Sequence, residues 1–313
     1  MKEFKKSISC IYYTSRQDID DPYALCVITP NAVSQKVNLL DVGGCFHPAI
    51  SPDGAKIAFV SLMYRDIVIY EIVTGEMGNL TQTPEQIELY PIWSPSGSTI
   101  MYQDQSGLWT IKSNGTMKKY VHFPHNFSRV CEPCYSPDGC GFIFCGQFHF
   151  QNRYNPFIRP HRFYIEPGIE TPSWYALTKK GRIASDIYFY VAGKVYPLTA
   201  EKDAHLCKFT PDGKNISYVS RGDLWILNMQ TKKKENLTDS MDFQATNHSW
   251  SPDGKEIVIQ AASGDLSNPV FIKHNLVILN IESGRCRDLT DGTNHDVFPC
   301  WALHIFPVRC SEN

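Results

Sequence analysis

The chain has 313 residues and a formal net charge of −2, so no global charge argues for nucleic acid or an anionic membrane surface. Apolar residues make up 42% of it, ample for a core, yet no run approaches the roughly 18 apolar residues of a membrane-spanning helix. Neither nucleic-acid binding nor membrane insertion is expected.

The N-terminus, Met1-Lys2-Glu3-Phe4-Lys5-Lys6, is basic but has no apolar segment behind it, so no signal peptide is read. A cytoplasmic location is expected, with the eleven cysteines as reduced thiols. Residues 8–42 carry three predicted strands, at 8–14, 23–28 and 36–40. From residue 44 onward a signature recurs. Ser51-Pro52-Asp53-Gly54 returns as Ser94-Pro95-Ser96-Gly97, Ser136-Pro137-Asp138-Gly139, Thr210-Pro211-Asp212-Gly213 and Ser251-Pro252-Asp253-Gly254. Proline presets φ for the first corner of a turn, Asp or Ser bonds the local backbone, and Gly accepts positive φ. An apolar strand precedes each copy and a β-branched or aromatic strand follows, so each copy is a hairpin turn.

A second signature closes the units: Leu80-Thr81, Leu198-Thr199, Leu237-Thr238 and Leu289-Thr290. Between the two signatures lies a further strand, such as Leu224-Trp225-Ile226-Leu227. Each unit is therefore strand A, the turn box, then strands B, C and D. Four antiparallel strands repeating at roughly 40 residues make a propeller blade. Blades are expected at 44–83, 86–124, 128–200, 202–240 and 243–292. Near the C-terminus, Val297-Phe298-Pro299-Cys300-Trp301 matches an A strand without its turn box. Joined to residues 8–42 it completes a sixth blade and removes the open sheet edge. The expectation is an all-β, six-bladed β-propeller of four-stranded antiparallel blades, one domain over 1–313, closed by the C-terminal strand.

The fourth unit runs roughly 30 residues longer than the period, which marks a long loop between its B and C strands. This insert, 147–180, is rich in aromatics, arginine and proline, and supplies Arg153, Tyr154, Arg159, Arg162 and Trp174. Arginine and large aromatics dominate binding hot spots. Propeller topology puts B–C loops and A-strand starts on one face. Four residues ahead of each box stand His47, Tyr90, Glu132, Leu206, Asn247 and Phe298, with His205, His248 and His295 close by in register. Imidazoles and carboxylates in one mouth could hold a divalent metal or an anionic sugar. Cys131-x-x-Cys134 has half the spacing of a zinc site, but no second pair accompanies it. Motifs for serine hydrolases, P-loops and dinucleotide folds are absent from the sequence.

The repeat, an aromatic residue followed by Ser-Pro-Asp-Gly and a β-branched strand closing in Leu-Thr, resembles the WD40-like propeller repeat of the TolB family. The resemblance covers most of 44–300. It implies a non-catalytic scaffold that binds a protein, peptide or other ligand without a cofactor. Glu132 and the insert residues are the candidate contacts. More distantly the chain is similar to the oligogalacturonate lyases, bare propellers that hold manganese on histidines at A-strand starts. That likeness implies a metal-dependent lyase acting on acidic oligosaccharides, with manganese or zinc on His47, His205, His248 and His295. Only His47 falls in the register of the lyase ligands.

Overall fold

A computed structural model describes residues 5–18, 20–31, 37–40, 44–83, 85–124, 127–148, 185–264 and 272–307. These residues form strands and turns, and no helix appears among them. The strands are grouped in fours. Blade 1 holds β1 (Lys5–Arg16), β2 (Ala24–Ile28) and β3 (Val37–Leu40), and blade 2 holds β4 (Cys45–Ile50), β5 (Lys56–Ser61), β6 (Ile67–Glu71) and β7 (Met77–Asn79). Blade 3 is β8 (Leu89–Trp93), β9 (Thr99–Gln103), β10 (Leu108–Lys112) and β11 (Lys119–Tyr120). Blade 4 is β12 (Phe127–Tyr135), β13 (Gly141–Phe148), β14 (Asp186–Val191) and β15 (Lys194–Pro197). Blade 5 is β16 (Ala204–Phe209), β17 (Asn215–Ser220), β18 (Asp223–Asn228) and β19 (Lys234–Asn236). Blade 6 is β20 (Gln244–Trp250), β21 (Glu256–Ser263), β22 (Lys273–Asn280) and β23 (Cys286–Asp288).

The last strand, β24 (His295–Pro307), joins blade 1, whose order is β24-β1-β2-β3. Its antiparallel register runs from Lys5 opposite Pro307 to Arg16 opposite His295. The described residues thus form six antiparallel four-stranded sheets in a ring, an all-β six-bladed β-propeller closed by the C-terminal strand.

The two sequence signatures are hydrogen-bonding devices. In the first box, Ser51 Oγ donates to Asp53 Oδ1 at 2.6 Å, and the amides of Ala55 and Lys56 donate to Asp53 and Ser51 at 3.1 and 2.9 Å. Gly54 closes the turn at φ 70°, a region an L side chain rarely enters. The Leu-Thr signature caps the entry to strand C. Thr81, Thr199, Thr238 and Thr290 each accept, on Oγ1, an N–H from the first half of that strand: Ile67 at 3.0 Å, and Ile187, Leu224 and Leu276 at 2.9 Å. A buried amide needs such an acceptor, and that of Ile67 also reaches Glu88 Oε2 at 3.2 Å.

The apolar core lies between the blades. Cys207 and Phe209 pack with Ile143, Cys145 and Ile187 of blade 4, whereas Leu206 packs with Trp250, Ile257 and Ile259 of blade 6. Strand alternation thus sends successive A-strand residues to opposite neighbours. Trp93 Nε1 donates to Ala49 O at 3.0 Å and Trp250 Nε1 to Ser217 Oγ at 2.8 Å, each reaching the preceding blade.

Candidate functional site

The mouth of the ring is built from irregular A-strand starts. His47, Tyr90, Glu132, Leu206 and Phe298 all adopt positive φ, between 51° and 55°. Four of them precede a proline, Pro48, Pro91, Pro133 and Pro299, which cannot donate to a ladder. Strand pairing slips in register at each of these positions. The bulge leaves an inward amide that needs an acceptor. Gln103 Oε1 accepts from the N–H of Glu132 at 2.8 Å, and Gln260 Oε1 from that of Phe298 at 2.9 Å. Both glutamines sit on the B strand of the preceding blade.

Blade 4 has Cys145 at that B-strand position, and Glu132 supplies the acceptor. Its Oε2 takes the Leu206 N–H at 2.6 Å and the Cys145 thiol at 3.2 Å. Glu132 is therefore a buried strut between blades 4 and 5.

The four histidines occupy different environments. His47 stacks on Tyr90 with ring centroids 3.9 Å apart and meets the Phe298 ring at 4.3 Å. Burial pushes it down to about 3, and the charge of Lys208 adds to this. His248 is 0% exposed and bonds Ser217 Oγ through Nε2 at 2.6 Å. Burial, then Lys208 and His205, also lower it to about 3. His205 lies half-buried with Nδ1 3.2 Å from Asp203 O. His295 belongs to a rim cluster, its Nδ1 2.5 Å from Tyr23 Oη and its Nε2 2.6 Å from His274 Nδ1.

The four do not converge. Among the described residues, no group of three or more His, Cys, Asp or Glu side chains is placed to hold a metal ion. Both ring nitrogens of His295 are engaged, and Glu132 is committed to Leu206 and Cys145. As placed among the described residues, these donors do not form a manganese or zinc centre. Arg153, Tyr154, Arg159, Arg162 and Trp174 lie outside the described residues.

Two features of this face were missed in the sequence. The first is the rim cluster of blades 1 and 6: Arg16 lies 4.5 Å over the Tyr23 ring, Ser15 Oγ donates to Asp296 Oδ1 at 2.6 Å, and His274 joins through His295. Burial first, then His295 and Arg16, hold His274 near 3, so the cluster is neutral at its imidazoles around pH 7. The second is the B–C turn of blade 2, where Met63 is 67% and Tyr64 45% exposed. Nearby in the ring, blade 1 presents exposed Asp18, Asp20 and Asp21. Two adjacent exposed apolar residues in a turn were the available signal.

No protein-family profile matches the chain. Over 156 residues, 41% of the chain, it is 28% identical to dipeptidyl-peptidase 5 of Porphyromonas gingivalis, and it spans 22% of that protein's length. Among solved structures it is similar to TolB from Acinetobacter baumannii, with a TM-score of 0.69 and 20% identity, over 94% of this chain and 66% of that one. A putative TolB from Agrobacterium tumefaciens gives 0.59 and 17%, over 97% and 100%. A chain of the nidogen/laminin complex gives 0.65 and 10%, over 94% and 98%. In fold the protein is a TolB-like six-bladed β-propeller.

Proposed function

We propose that the protein is a non-catalytic binding scaffold and that its B–C loop face docks a protein or peptide partner. The observation that carries this reading is the pair Met63 and Tyr64, held out to solvent on a short rigid turn. Their turn is anchored by Leu62 N donating to Gly44 O at 3.0 Å and Arg65 N donating to Ser61 O at 2.7 Å. Methionine and tyrosine presented on a fixed backbone contribute contact area at small entropic cost. The B–C loop of blade 1 adds exposed acidic side chains, Asp18, Asp20 and Asp21, to the same face. A chain of similar fold was solved within a nidogen/laminin complex.

The free thiols support a reducing, cytoplasmic setting: the ten described cysteines form no disulfide, and Cys140 alone among them is exposed.

The test is partner capture with the full chain, comparing wild type with Met63→Asp/Tyr64→Asp and with Arg159→Ala/Arg162→Ala. Each pair is expected to weaken the captured partner by at least about tenfold, the scale of losing one hot-spot residue. Binding unchanged by both pairs would overturn the reading.

A further inference from the structure

The A strands carry a second regularity, below the mouth. The residue two before the turn box is half-buried in all six blades: Ala49, Ile92, Cys134, Lys208, Ser249 and, by the alignment of Trp301 with Trp93 and Trp250, Cys300. The residue just ahead of it is buried in all six: Pro48, Pro91, Pro133, Cys207, His248 and Pro299. A six-fold alternation on the innermost strands assigns the half-buried set to the wall of the central channel. That wall carries one cation, Lys208, and no acid.

Lys208 makes no ion pair or side-chain hydrogen bond among the described residues. Its charge is felt across the ring. It adds to burial in lowering His47 and His248, and it offsets part of the upward push of burial on the thiols of Cys134 and Cys300. These four groups stand on blades 2, 6, 4 and 1. This agrees with an ammonium on the channel wall that the burial pattern of the A strands assigns.

Two imidazole nitrogens are also unsatisfied: His47 Nδ1 and His248 Nδ1 are buried without a hydrogen-bond partner. Trp250 Nε1 donates to Ser217 Oγ, the same atom that lies 2.6 Å from His248 Nε2. The channel wall carries an unpaired ammonium. His47, Tyr90 and Phe298 form a ring-stacked collar at the A-strand starts.

We propose that the central channel binds a small oxyanion, a carboxylate or a phosphate, on Lys208. The ammonium supplies the charge, and the Ser249 hydroxyl lines the same level. Ser249 Oγ accepts from Trp301 N at 3.0 Å and keeps its own proton to donate. The site is separate from the B–C loop face, so either reading stands or falls alone.

The test is calorimetric titration of the full chain at low ionic strength with inorganic phosphate and, separately, with succinate. One saturable site per chain is expected for at least one of them, and the anion that binds separates a phosphate ligand from a carboxylate one. Lys208→Met should weaken it by at least about tenfold, while Lys208→Arg keeps it within about threefold. Ala49→Glu leaves the lysine in place but puts an acid on the same ring, and it should also weaken binding by about tenfold. That variant carries the test if Lys208→Met does not fold. No saturable binding of either anion would overturn the proposal, as would binding unaffected by both Lys208→Met and Ala49→Glu.

Discussion

Glu132 Oε2 on blade 4 accepts the backbone N–H of Leu206 on blade 5 at 2.6 Å, in the place that Gln103 and Gln260 fill for other blade pairs. The acceptor has moved from the B strand to the A strand because Cys145 occupies the glutamine position. Glu132→Ala strands the Leu206 amide in a buried bulge, a loss of about 1–3 kcal/mol. Adding Cys145→Gln to Glu132→Ala should restore most of it, since the glutamine recreates the arrangement of the neighbouring blades. Urea unfolding of the two variants against wild type measures both steps. A double variant no more stable than the single would remove Glu132 from this role.

The ring was legible because both of its punctuation marks are mechanical. A Ser-Pro-Asp-Gly box needs its proline, its carboxylate and its positive-φ glycine in that order, and a Leu-Thr close needs a hydroxyl two strands from the box. Each leaves its residue types in the sequence. The site was less legible because side-chain direction is set by phase along each strand. His47 stands four residues ahead of its box, His205 five, His248 three and His295 seven ahead of the matching position. A bulge in each A strand shifts that phase further. Residues of one face in sequence thus point at a collar, a rim, a blade interior and a half-buried strand start.

The hydroxyl of Thr238 carries the strand-C cap of blade 5, accepting the Leu224 N–H at 2.9 Å in a residue 1% exposed. Thr238→Val keeps the shape and removes the acceptor, with an expected loss of about 1–3 kcal/mol. Thr238→Ser keeps the hydroxyl and should recover most of that. Thermal midpoints of the pair report the difference, and equal midpoints would show that the methyl group rather than the hydroxyl matters.

Four turn boxes contain a carboxylate that the fold holds below its ordinary value. The Ser or Thr hydroxyl of the same box is the largest cause for Asp53, Asp138, Asp212 and Asp253. A folded pKa below the unfolded one contributes stability that is present above the ordinary Asp value of 3.8 and is lost as pH falls through the folded value. Blade 3 builds the same turn with Ser96, whose hydroxyl lies 3.1 Å from that of Ser94 and does not titrate. Replacing all four aspartates by serine should flatten the stability profile below pH 4. Urea midpoints at pH 5 and pH 3 read the slope. An acid slope as steep as that of wild type would rule these carboxylates out.

Acid should act on the protein earlier through its imidazoles. His47, His248 and His274 are held near 3 and His295 near 4, mainly by burial, against an ordinary value of 6.5. The unfolded chain therefore binds protons that the folded chain refuses, and stability falls as pH drops below 6.5 toward the folded values. A single such histidine contributes a slope of up to about 1.4 kcal/mol per pH unit in that window. His248 is the cleanest case, fully buried between Ser217 and the channel wall. His248→Gln keeps an acceptor for the Ser217 hydroxyl and removes the titration. It should lower stability at pH 7.5 by no more than about 2 kcal/mol while making the decline from pH 6.5 to 4.5 shallower than in wild type. Parallel declines would mean that His248 becomes protonated without opposing the fold, and the depressed value assigned to burial would be wrong.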